Sequence, residues 1–520
     1  MRAARTALLV ACAMFFARNV AANGRFPNAQ QVRELDAKSL VVAGTYGLLI
    51  TTNGGKDFAY VCEAEMFGAA AGALTMDPLL ERTPDGSFVT GSREGARVAR
   101  ERGCTFETVE SLPHGYEFFG LERPADAELG ALVDFTRRGS GEAAPLLALV
   151  SLLDEAGFPV EHRVYEARVG TDFMAIGAPI PSSELGFALT LDVASSNPAR
   201  FYVSGRLGER AVLASSDDGG QSWGTSAIAG ADGALGVYLA GVSPSDERRV
   251  YARVSRTRLT DAAYYVWDDS LLVSDDGGDS FVEVLRRDAA LLGFSLSRDG
   301  ETVLAGFGDP RRDAALSQRS ELGIYSGSGS LPASDMTFAR IVSDLDVNCL
   351  YWTASGLYAC ATEADPLGVD PALEPDFHLG IHTGSGLPSG RADFTPLLRL
   401  RDVRGPAPWT DGRPSPCDAE WRTTDPLAPI PFGACAPLNA CEGMTALSPG
   451  ALVCGAGDAS GDGGAGARDE SLPSREAGCA CRSSGSVPRS WLAWLGAMGL
   501  LCCLRHRART AVARAQERGY

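Results

Sequence analysis

The sequence predicts an all-β fold built from about seven small antiparallel sheets, and three observations lead to this prediction. Four short stretches share one spaced pattern: a hydroxyl residue, any residue, Asp or Asn, any residue, Gly, any two residues and an aromatic. Positions that match or resemble the start of this pattern recur near 51, 99, 151, 216, 274, 326 and 383. Their spacing of roughly 50 to 65 residues accommodates four short strands with their turns. The composition, with 60 glycines, 29 prolines and 8% aromatic residues, also suits many short strands.

The spaced motif has a local physical explanation as a tight turn. Its hydroxyl and acid or amide oxygens can accept backbone N–H groups, and its glycine can take a positive φ. Burial of the aromatic ring between sheets contributes about 1.5–3 kcal/mol. Complete copies occupy residues 51–58, 216–223 and 274–281, and a decayed copy ends at residues 103–106. The residues that define the complete copies are Thr51, Asn53, Gly55, Phe58, Ser216, Asp218, Gly220, Trp223, Ser274, Asp276, Gly278 and Phe281.

The motif resembles the Asp-box (BNR) repeat of sialidase-like β-propellers. In that family the repeat closes a hairpin at the outer edge of a blade, so the resemblance implies a fold element rather than an active site. We divide residues 30–405 into seven units that begin near 39, 78, 117, 187, 236, 291 and 347, with poor motifs in the third, sixth and seventh. The prediction is a seven-bladed β-propeller. Six or eight blades are compatible with the same spacing, and a β-sandwich or a solenoid with the same turns is the alternative.

Two other repeated patterns predict hairpins. Residues 193–203 and 242–252 each contain a turn followed by an apolar strand at the same offset. Asp-Gly precedes a strand at residues 85–86 and 299–300, and Gly356 ends a weaker copy. Asp-Gly between apolar runs is a hairpin signal.

Metal binding is the alternative interpretation of two clusters. Asp275, Asp276 and Asp279 lie close together, as oxygen ligands of calcium do, but the ligand spacing of an EF-hand is missing. His378 and His382 are four residues apart in a segment that resembles a strand and loop. We expect these histidines to be solvent-facing or in the core, and we expect no metal site and no cofactor.

The N-terminus, residues 1–22, is typical of a secretory signal peptide. Arg2 and Arg5 precede an apolar, helix-compatible run over residues 7–17, and small residues follow before Asn23. An uncleaved anchor is one alternative. A lipoprotein modified at Cys12 is another, although few apolar residues precede that cysteine.

The C-terminus, residues 479–520, has three parts in a fixed order. Cys479 and Cys481 come first, an apolar helix is predicted over residues 491–504, and an Arg-rich tail follows. That helix would be about 21 Å long, less than the hydrocarbon core of about 30 Å. The arrangement resembles the MYXO-CTERM sorting signal of myxobacterial surface proteins. The resemblance implies that a membrane sorting protease removes the tail near Cys479 or Cys481 and that the protein stays on the cell surface. An ordinary single-pass transmembrane anchor is the alternative.

Eight of the thirteen cysteines remain once Cys12, the two sorting cysteines and the two in the apolar helix are set aside. An even number in an exported chain suggests disulfides. Cys349 and Cys360 flank a predicted hairpin that they would link. Pairing of sequence neighbours would join Cys417 to Cys435 and Cys441 to Cys454, and pairing across adjacent blades would join Cys62 to Cys104. Zinc is disfavoured because the cysteines show no Cys-x-x-Cys spacing and no nearby histidine.

Composition places the remaining boundaries. The propeller is predicted over residues 23–405, a Cys- and Pro-rich disulfide segment over residues 406–456, and a flexible Gly, Ala and Asp linker over residues 457–478. The net charge of −18 would repel phosphate backbones, so we expect no nucleic-acid binding.

No catalytic set can be recognised, although the resemblance makes a sialidase-like or polysaccharide-degrading glycoside hydrolase the alternative function. Sialidases use three arginines, a tyrosine nucleophile and an acid, and carry an Arg-Ile-Pro motif near the start. Residues 24–27 and 338–341 each match that motif only in part. Two opposed carboxylates, which other glycosidases need, do not stand out among the 65 acidic residues. We therefore expect a cell-surface propeller of the binding or display type, with a surface glycan or a protein as its ligand.

Overall fold

The computed structural model is a seven-bladed β-propeller, which confirms the predicted fold class. Seven four-stranded antiparallel sheets follow one another along the chain, and within each blade the strands lie side by side in sequence order. The described residues are 29–45, 47–67, 78–115, 127–141, 143–259, 265–309, 319–353, 356–363, 379–385, 393–399, 403, 405–418 and 449–455.

The first four blades occupy the N-terminal half of the propeller. Blade 1 contains β1 (Ala29–Asp36), β2 (Ser39–Gly44), β3 (Gly47–Thr51) and β4 (Ala59–Cys62), followed by the short helix α1 (Glu63–Phe67). Blade 2 contains β5 (Leu79–Arg82), β6 (Phe88–Ser92), β7 (Gly95–Arg100) and β8 (Thr105–Thr108). Blade 3 contains β9 (Leu129–Arg137), β10 (Leu146–Leu153), β11 (Pro159–Ala167) and β12 (Phe173–Pro181). Blade 4 contains β13 (Phe187–Val193), β14 (Phe201–Leu207), β15 (Arg210–Ser216) and β16 (Gly224–Ala227).

Three further blades complete the ring. Blade 5 contains β17 (Gly236–Val242), β18 (Val250–Ser255), β21 (Asp269–Ser274) and β22 (Val282–Arg287), with a small hairpin of β19 (Thr257–Leu259) and β20 (Tyr265–Trp267) inserted between its second and third strands. Blade 6 contains β23 (Ala290–Leu296), β24 (Thr302–Gly308), β25 (Gly323–Ser328) and β26 (Phe338–Val342). Blade 7 contains β27 (Leu345–Trp352), β28 (Leu357–Glu363), β29 (Leu379–Ser385) and β30 (Asp393–Arg399).

The hydrophobic core is divided among the seven gaps between neighbouring blades, with one cluster in each gap. Strand β10 shows how one sequence fills two gaps. Leu146, Ala148 and Val150 pack with residues of blade 2, whereas Leu147 and Leu149 pack with residues of blade 4. Side chains alternate between the two faces of a strand, and here both faces are covered. Apart from Ser151, the strand is therefore apolar on both faces, without the alternation of a half-exposed sheet.

The first strand of each blade is a sheet edge, so part of its backbone lacks a strand partner. Unpaired N–H groups that are removed from water need another acceptor. Side-chain oxygens of the preceding blade supply it in four of the gaps between blades. These hydrogen bonds run from Leu191 N to Asp134, from Leu239 N to Thr190, from Leu291 N to Asp269 and from Trp352 N to Ser295, with lengths of 2.9, 2.7, 2.9 and 3.1 Å.

The ring closes by face-to-face packing of blade 7 on blade 1, and each of these two blades is made of its own consecutive strands. Val32 and Leu49 of blade 1 share a cluster with Ile381 and Leu398 of blade 7. The chain then continues as a C-terminal segment, defined here as the described residues between 403 and 455. This segment runs along the outer strand of blade 1, where the Tyr60 N–H donates to Gly405 O at 2.9 Å.

Two disulfides link the C-terminal segment to blades 1 and 2, and a third lies within blade 7. The bonds are Cys62–Cys417, Cys104–Cys454 and Cys349–Cys360. The last is the pair predicted from the β27–β28 hairpin, where the two cysteines are cross-strand partners.

The other predicted cysteine pairings are wrong. Cys417 does not pair with Cys435, Cys441 does not pair with Cys454, and Cys62 does not pair with Cys104. The physical reason is the return of the chain: the C-terminal segment passes the first two blades and brings together cysteines about 350 residues apart. Cys435 and Cys441 themselves lie outside the described residues.

Five of the seven predicted unit starts fall within two residues of an observed first strand. The first unit begins at Ala29 rather than near 39, because β1 is largely polar and was not recognised as a strand. The third begins at Leu129 rather than near 117. Six of the seven motif-like positions lie at third strands, but position 151 lies in β10, a second strand, so that assignment was wrong.

The predicted signal peptide, linker and sorting signal lie outside the described residues. Among the residues that the structure describes, no helix has both the length and the apolar character needed to cross a membrane.

Candidate functional site

The three complete motifs occupy equivalent places in their blades. Each one joins the third strand to the fourth, at residues 51–58 in blade 1, 216–223 in blade 4 and 274–281 in blade 5. The decayed copy occupies the same place between β7 and β8 of blade 2. These hairpins belong to the outer half of each blade, whereas the central channel is lined by the first strands. The motifs therefore lie away from the channel.

In blade 4 the motif closes on itself through hydrogen bonds. The Ser216 hydroxyl accepts the Gly220 N–H at 2.8 Å and donates to Asp218 at 2.8 Å. Asp218 in turn accepts the Ser222 N–H at 2.9 Å and the Ser222 hydroxyl at 2.6 Å. These hydrogen bonds from Ser222 and Ser216 lower the pKa of the exposed Asp218 to about 2. The carboxylate acts as an internal acceptor of the turn.

The other two complete motifs repeat this geometry with small changes. In blade 5, burial opposes ionisation of Asp276, but hydrogen bonds from Ser280 and Ser274 outweigh it and lower the pKa to about 2. In blade 1 the amide oxygen of Asn53 takes the place of the carboxylate and accepts the Asp57 N–H at 3.1 Å. In all three motifs the acid or amide oxygen accepts an N–H group of its own turn.

The motifs of blades 4 and 5 also connect their blades to the preceding ones by hydrogen bonds. The Gly220 carbonyl accepts the Ala178 N–H of blade 3 at 2.7 Å, and the Trp223 indole N–H donates to Ala178 O at 2.9 Å. In the next gap, the Gly278 carbonyl accepts the Ser226 hydroxyl of blade 4 at 3.1 Å. These hydrogen bonds lie in the gaps between blades 3 and 4 and between blades 4 and 5.

The carboxylates of the blade 5 motif have protein partners. Asp275 lies 3.3 Å from the Arg249 guanidinium and accepts the Ala333 N–H at 2.7 Å. Asp276 accepts hydrogen bonds from Ser274 and Ser280. Across the part of the chain that the structure describes, no cluster of three or more His, Cys, Asp or Glu residues is arranged to hold a metal ion.

The central channel is the candidate functional site. It is a cavity of about 460 Å³ to which the first strand of every blade contributes. Its apolar lining comes from several blades and includes Val32, Leu79, Val133, Leu189, Leu239, Leu291, Phe294 and Leu350. Its polar lining includes Gln31, Arg33, Asp134, Thr190, Tyr238, Arg253 and Tyr351. A cavity lined by apolar side chains with a few polar groups among them suits a small molecule.

Both channel guanidinium groups are already engaged. Arg33 lies over the Tyr351 ring at 5.0 Å and forms an ion pair with Glu81 at 3.0 Å. Arg253 forms the equivalent arrangement on the other side of the ring of blades: it lies 5.5 Å from the centre of the Tyr238 ring and 2.9 Å from the Asp269 carboxylate. Each arginine is held by one aromatic ring and one acid. These two groups do not form the free arginine triad that a sialidase uses.

Two neighbouring carboxylates lack an ion pair in the described part of the chain, and one of them, Asp134, lines the channel. Asp134 accepts the Phe135 N–H at 2.8 Å and the Leu191 N–H at 2.9 Å. Asp192 accepts the Val193 N–H at 2.8 Å and the Thr136 hydroxyl at 3.4 Å. Burial raises the pKa of Asp192 to about 6.

The pKa of Asp134 is raised further, to about 7. Burial is the main cause, and the nearby Asp192 carboxylate adds to it. The backbone N–H groups of Leu191 and Phe135 and the charge of Arg33 oppose the rise without cancelling it. Among the described residues that line the channel, Asp134 is the one acid.

A serine–histidine pair lies inside blade 3, where it has a structural role. Ser151 and the fully buried His162 are cross-strand partners, with Ser151 Oγ 2.8 Å from His162 Nδ1. His162 Nε2 lies 2.5 Å from Leu185 O, in the connection to blade 4. Nε2–H therefore donates to the carbonyl, and Nδ1 accepts the Ser151 hydroxyl. Both side chains are buried, so no substrate reaches this serine.

Acidification is expected to destabilise the fold through His162. Burial lowers the pKa of His162 below its ordinary value, so the folded state favours the neutral ring. Its contribution is fully present above about pH 6.5 and is lost as the pH falls through the folded-state pKa, because the unfolded chain binds the proton more readily. We expect the melting temperature of the wild type to fall more steeply than that of His162→Gln between pH 7 and pH 5.

The difference between the two melting profiles isolates His162. Asp134 and Asp192, with raised pKa values, change stability in the opposite direction over this range and are common to both proteins. Parallel profiles of wild type and variant would show that His162 does not couple protonation to folding.

The sequence analysis did not identify the channel residues, although an acid within an apolar strand could have indicated them. Asp134 and Asp192 are single acids within apolar strands, in the runs Leu132 to Phe135 and Leu189 to Val193. An acid in such a run needs a partner on the buried side.

Of the two stretches compared with Arg-Ile-Pro, residues 338–341 lie in β26, an outer strand, and residues 24–27 lie outside the described residues. His382 is buried in β29; His378, Cys479 and Cys481 also lie outside the described residues.

No protein-family model matches the chain, and no curated protein sequence matches it. Among solved structures, it is similar to a Trypanosoma rangeli sialidase in complex with sialic acid, at 11% identity and a TM-score of 0.32, covering 55% of this chain and 52% of the sialidase. It is also similar to the GH74 enzyme of Niastella koreensis, at 14% identity and a TM-score of 0.28, covering 69% and 66%. A third similar structure is the Dos1 propeller, at 12% identity and a TM-score of 0.32, covering 56% and 67%. The chain spans about half the length of the sialidase, and identities at this level describe the fold alone.

Proposed function

We propose that the protein is an exported, surface-anchored propeller that binds a ligand in its central channel without hydrolysing it. The observation that carries this proposal is the engagement of the polar channel groups. Arg33 and Arg253 each hold an acid and a tyrosine, and both oxygens of Asp134 accept backbone N–H groups. The described residues that line the cavity thus offer no free set of nucleophile, acid and arginines.

The spaced motifs support a rigid scaffold for such a site. We propose that they are Asp-boxes, because their oxygens hold a tight turn and their aromatic and glycine residues contact the preceding blade. A ring whose blades are fixed to each other presents its channel without rearrangement. The three disulfides support an oxidising, extracellular location.

Anchoring is proposed from the sequence of the C-terminus. A MYXO-CTERM-type signal at residues 479–520 would be cut by a sorting protease near Cys479 or Cys481, and the linker at residues 457–478 would tether the propeller to the surface. Replacement of both cysteines by alanine should leave the tail uncut. A shift in mass measured on cell-surface fractions tests this, and normal processing of the variant would contradict it.

Parallel binding and turnover assays test the proposed function. The full-length protein is incubated with sialosides and surface polysaccharides, and both released sugar and bound polymer are measured. Binding without release supports the proposal. Release of sugar that disappears in Asp134→Asn would contradict it.

One observation favours a second candidate, a glycoside hydrolase. Asp134 and Asp192 are close enough for the charge of one to raise the pKa of the other, and an acid with a raised pKa beside a second carboxylate is what glycosidases use. Against this candidate, both carboxylates accept hydrogen bonds from the protein backbone, and Asp192 also accepts one from the Thr136 hydroxyl.

A further inference from the structure

We propose that the central channel takes a small organic cation carrying an ammonium group, with Asp134 as its counter-charge. This inference rests on the proposed function, because it names the ligand class of the same channel. Three features of the described residues support it: the balance of charge, the aromatic wall and the size of the cavity.

The balance of charge favours a cation over an anion. Two guanidinium groups, Arg33 and Arg253, are each paired with one acid, at 3.0 Å and 2.9 Å. Asp134, which lines the channel, and the neighbouring Asp192 accept hydrogen bonds from backbone N–H groups and one hydroxyl, and neither forms an ion pair within the described residues. An anionic ligand would have to displace an acid from an arginine. A cationic ligand would instead supply the positive counter-charge that Asp134 lacks.

The aromatic wall suits the same ligand. The channel already holds two cations against tyrosine rings, Arg33 against Tyr351 and Arg253 against Tyr238. Phe294 adds a third aromatic side chain to the lining. Ammonium groups bind between aromatic faces and a carboxylate because the ring quadrupole and the negative charge act together.

The volume limits the size of the ligand. About 460 Å³ lies in the lower half of the range of about 300–1,000 Å³ that small-molecule sites occupy. Apolar lining residues such as Leu291, Leu292 and Leu350 would contact the alkyl part of the ligand, while the ammonium group faces Asp134.

Protonation provides a readout that does not depend on a variant. In the free channel the pKa of Asp134 is about 7, set by burial, by Asp192 on β13 and by the opposing effects of Arg33 on β1 and the N–H groups of Phe135 and Leu191. A bound cation favours the ionised form, so binding near pH 7 should release about half a proton. Below that pH the affinity should fall by about tenfold per pH unit.

The experiment is isothermal titration calorimetry of the full-length protein with choline, whose charge does not titrate. The matched probes are 3,3-dimethyl-1-butanol, its neutral isostere, and 3,3-dimethylbutanoate, an anion of similar shape. We expect choline to bind at least tenfold more tightly than either probe. Titrations in buffers of different ionisation enthalpy should reveal proton release by the wild type.

Two variants assign the effect to Asp134. Asp134→Asn should weaken choline binding by at least tenfold and abolish proton release. Asp232→Asn, which removes the same charge from an exposed position in the connection before β17, should bind like the wild type. If Asp134→Asn does not fold, proton release by the wild type decides the question.

The outcomes separate this inference from the proposed function. Equal binding of choline and its neutral isostere, tighter binding of the anion, or choline binding without proton release would each overturn the inference. Binding of a surface polysaccharide with no choline binding would overturn the inference and leave the proposed function standing. Turnover of a glycan would overturn the proposed function, whether or not choline binds.

Discussion

Loss of the Cys104–Cys454 disulfide, by replacing both cysteines with serine, is expected to lower the free energy of unfolding by about 4 kcal/mol by the chain-entropy model. Blades 1 and 7 are each built from their own strands, so no strand exchanged between them closes the ring. Closure depends on packing in the gap between them and on the C-terminal segment bonded to blades 1 and 2. With Cys62–Cys417 intact, the second bond closes a further loop of about 80 residues, from which the estimate follows.

The matched control is the double serine variant of Cys349 and Cys360. This bond spans only 11 residues within one hairpin, for which the same model gives about 3 kcal/mol. Chemical denaturation measures both losses, and limited proteolysis tests whether the C-terminal segment is released. We expect early cleavage between residues 403 and 455 only in the variant that lacks Cys104–Cys454. A smaller loss than in the control, with no change in cleavage, would show that this segment does not stabilise the closed ring.

The repeated hairpins were predictable because their chemistry is local. A hydroxyl, an acid and a glycine within eight residues determine a turn by themselves, so the motif located third strands in six of seven blades. The polar strand β1 was missed because its sequence lacks the apolar run that marks the other first strands. The fold class could therefore be predicted from short-range patterns. The predicted blade boundaries were wrong where a strand lacked such a pattern.

The disulfides and the channel were not predictable for the opposite reason. Cys62 and Cys417 meet only because the chain returns to blade 1 after a complete ring. The residues around each cysteine do not indicate that the two lie close together. Asp134 enters the channel because β9 is a first strand, a fact that depends on the order of strands in the sheet. In a closed ring, sites at the centre are assembled from all the repeats, so one repeat contains too little information to identify them.

Replacement of Gly278 by alanine is expected to destabilise the fold by about 3 kcal/mol, from strain in the backbone and overpacking together. Gly278 has a φ of +95°, which L side chains rarely adopt. A Cβ atom here would lie 2.1 Å from Leu213 Cδ2. Leu213 is 1% exposed and packed in the gap between blades 4 and 5, so it cannot move aside without disturbing that gap.

Gly208→Ala separates the two contributions. Gly208 also has a positive φ, +63°, but its added Cβ would meet nothing within 4 Å. Gly208→Ala should therefore lower the free energy of unfolding by about 1 kcal/mol, from backbone strain alone. Chemical denaturation of the two variants beside the wild type gives the difference, which measures the contact between the motif and the preceding blade. Equal losses would mean that the glycine of the motif is required only for the shape of its own turn, and the role of the motif in holding adjacent blades together would have to rest on other residues.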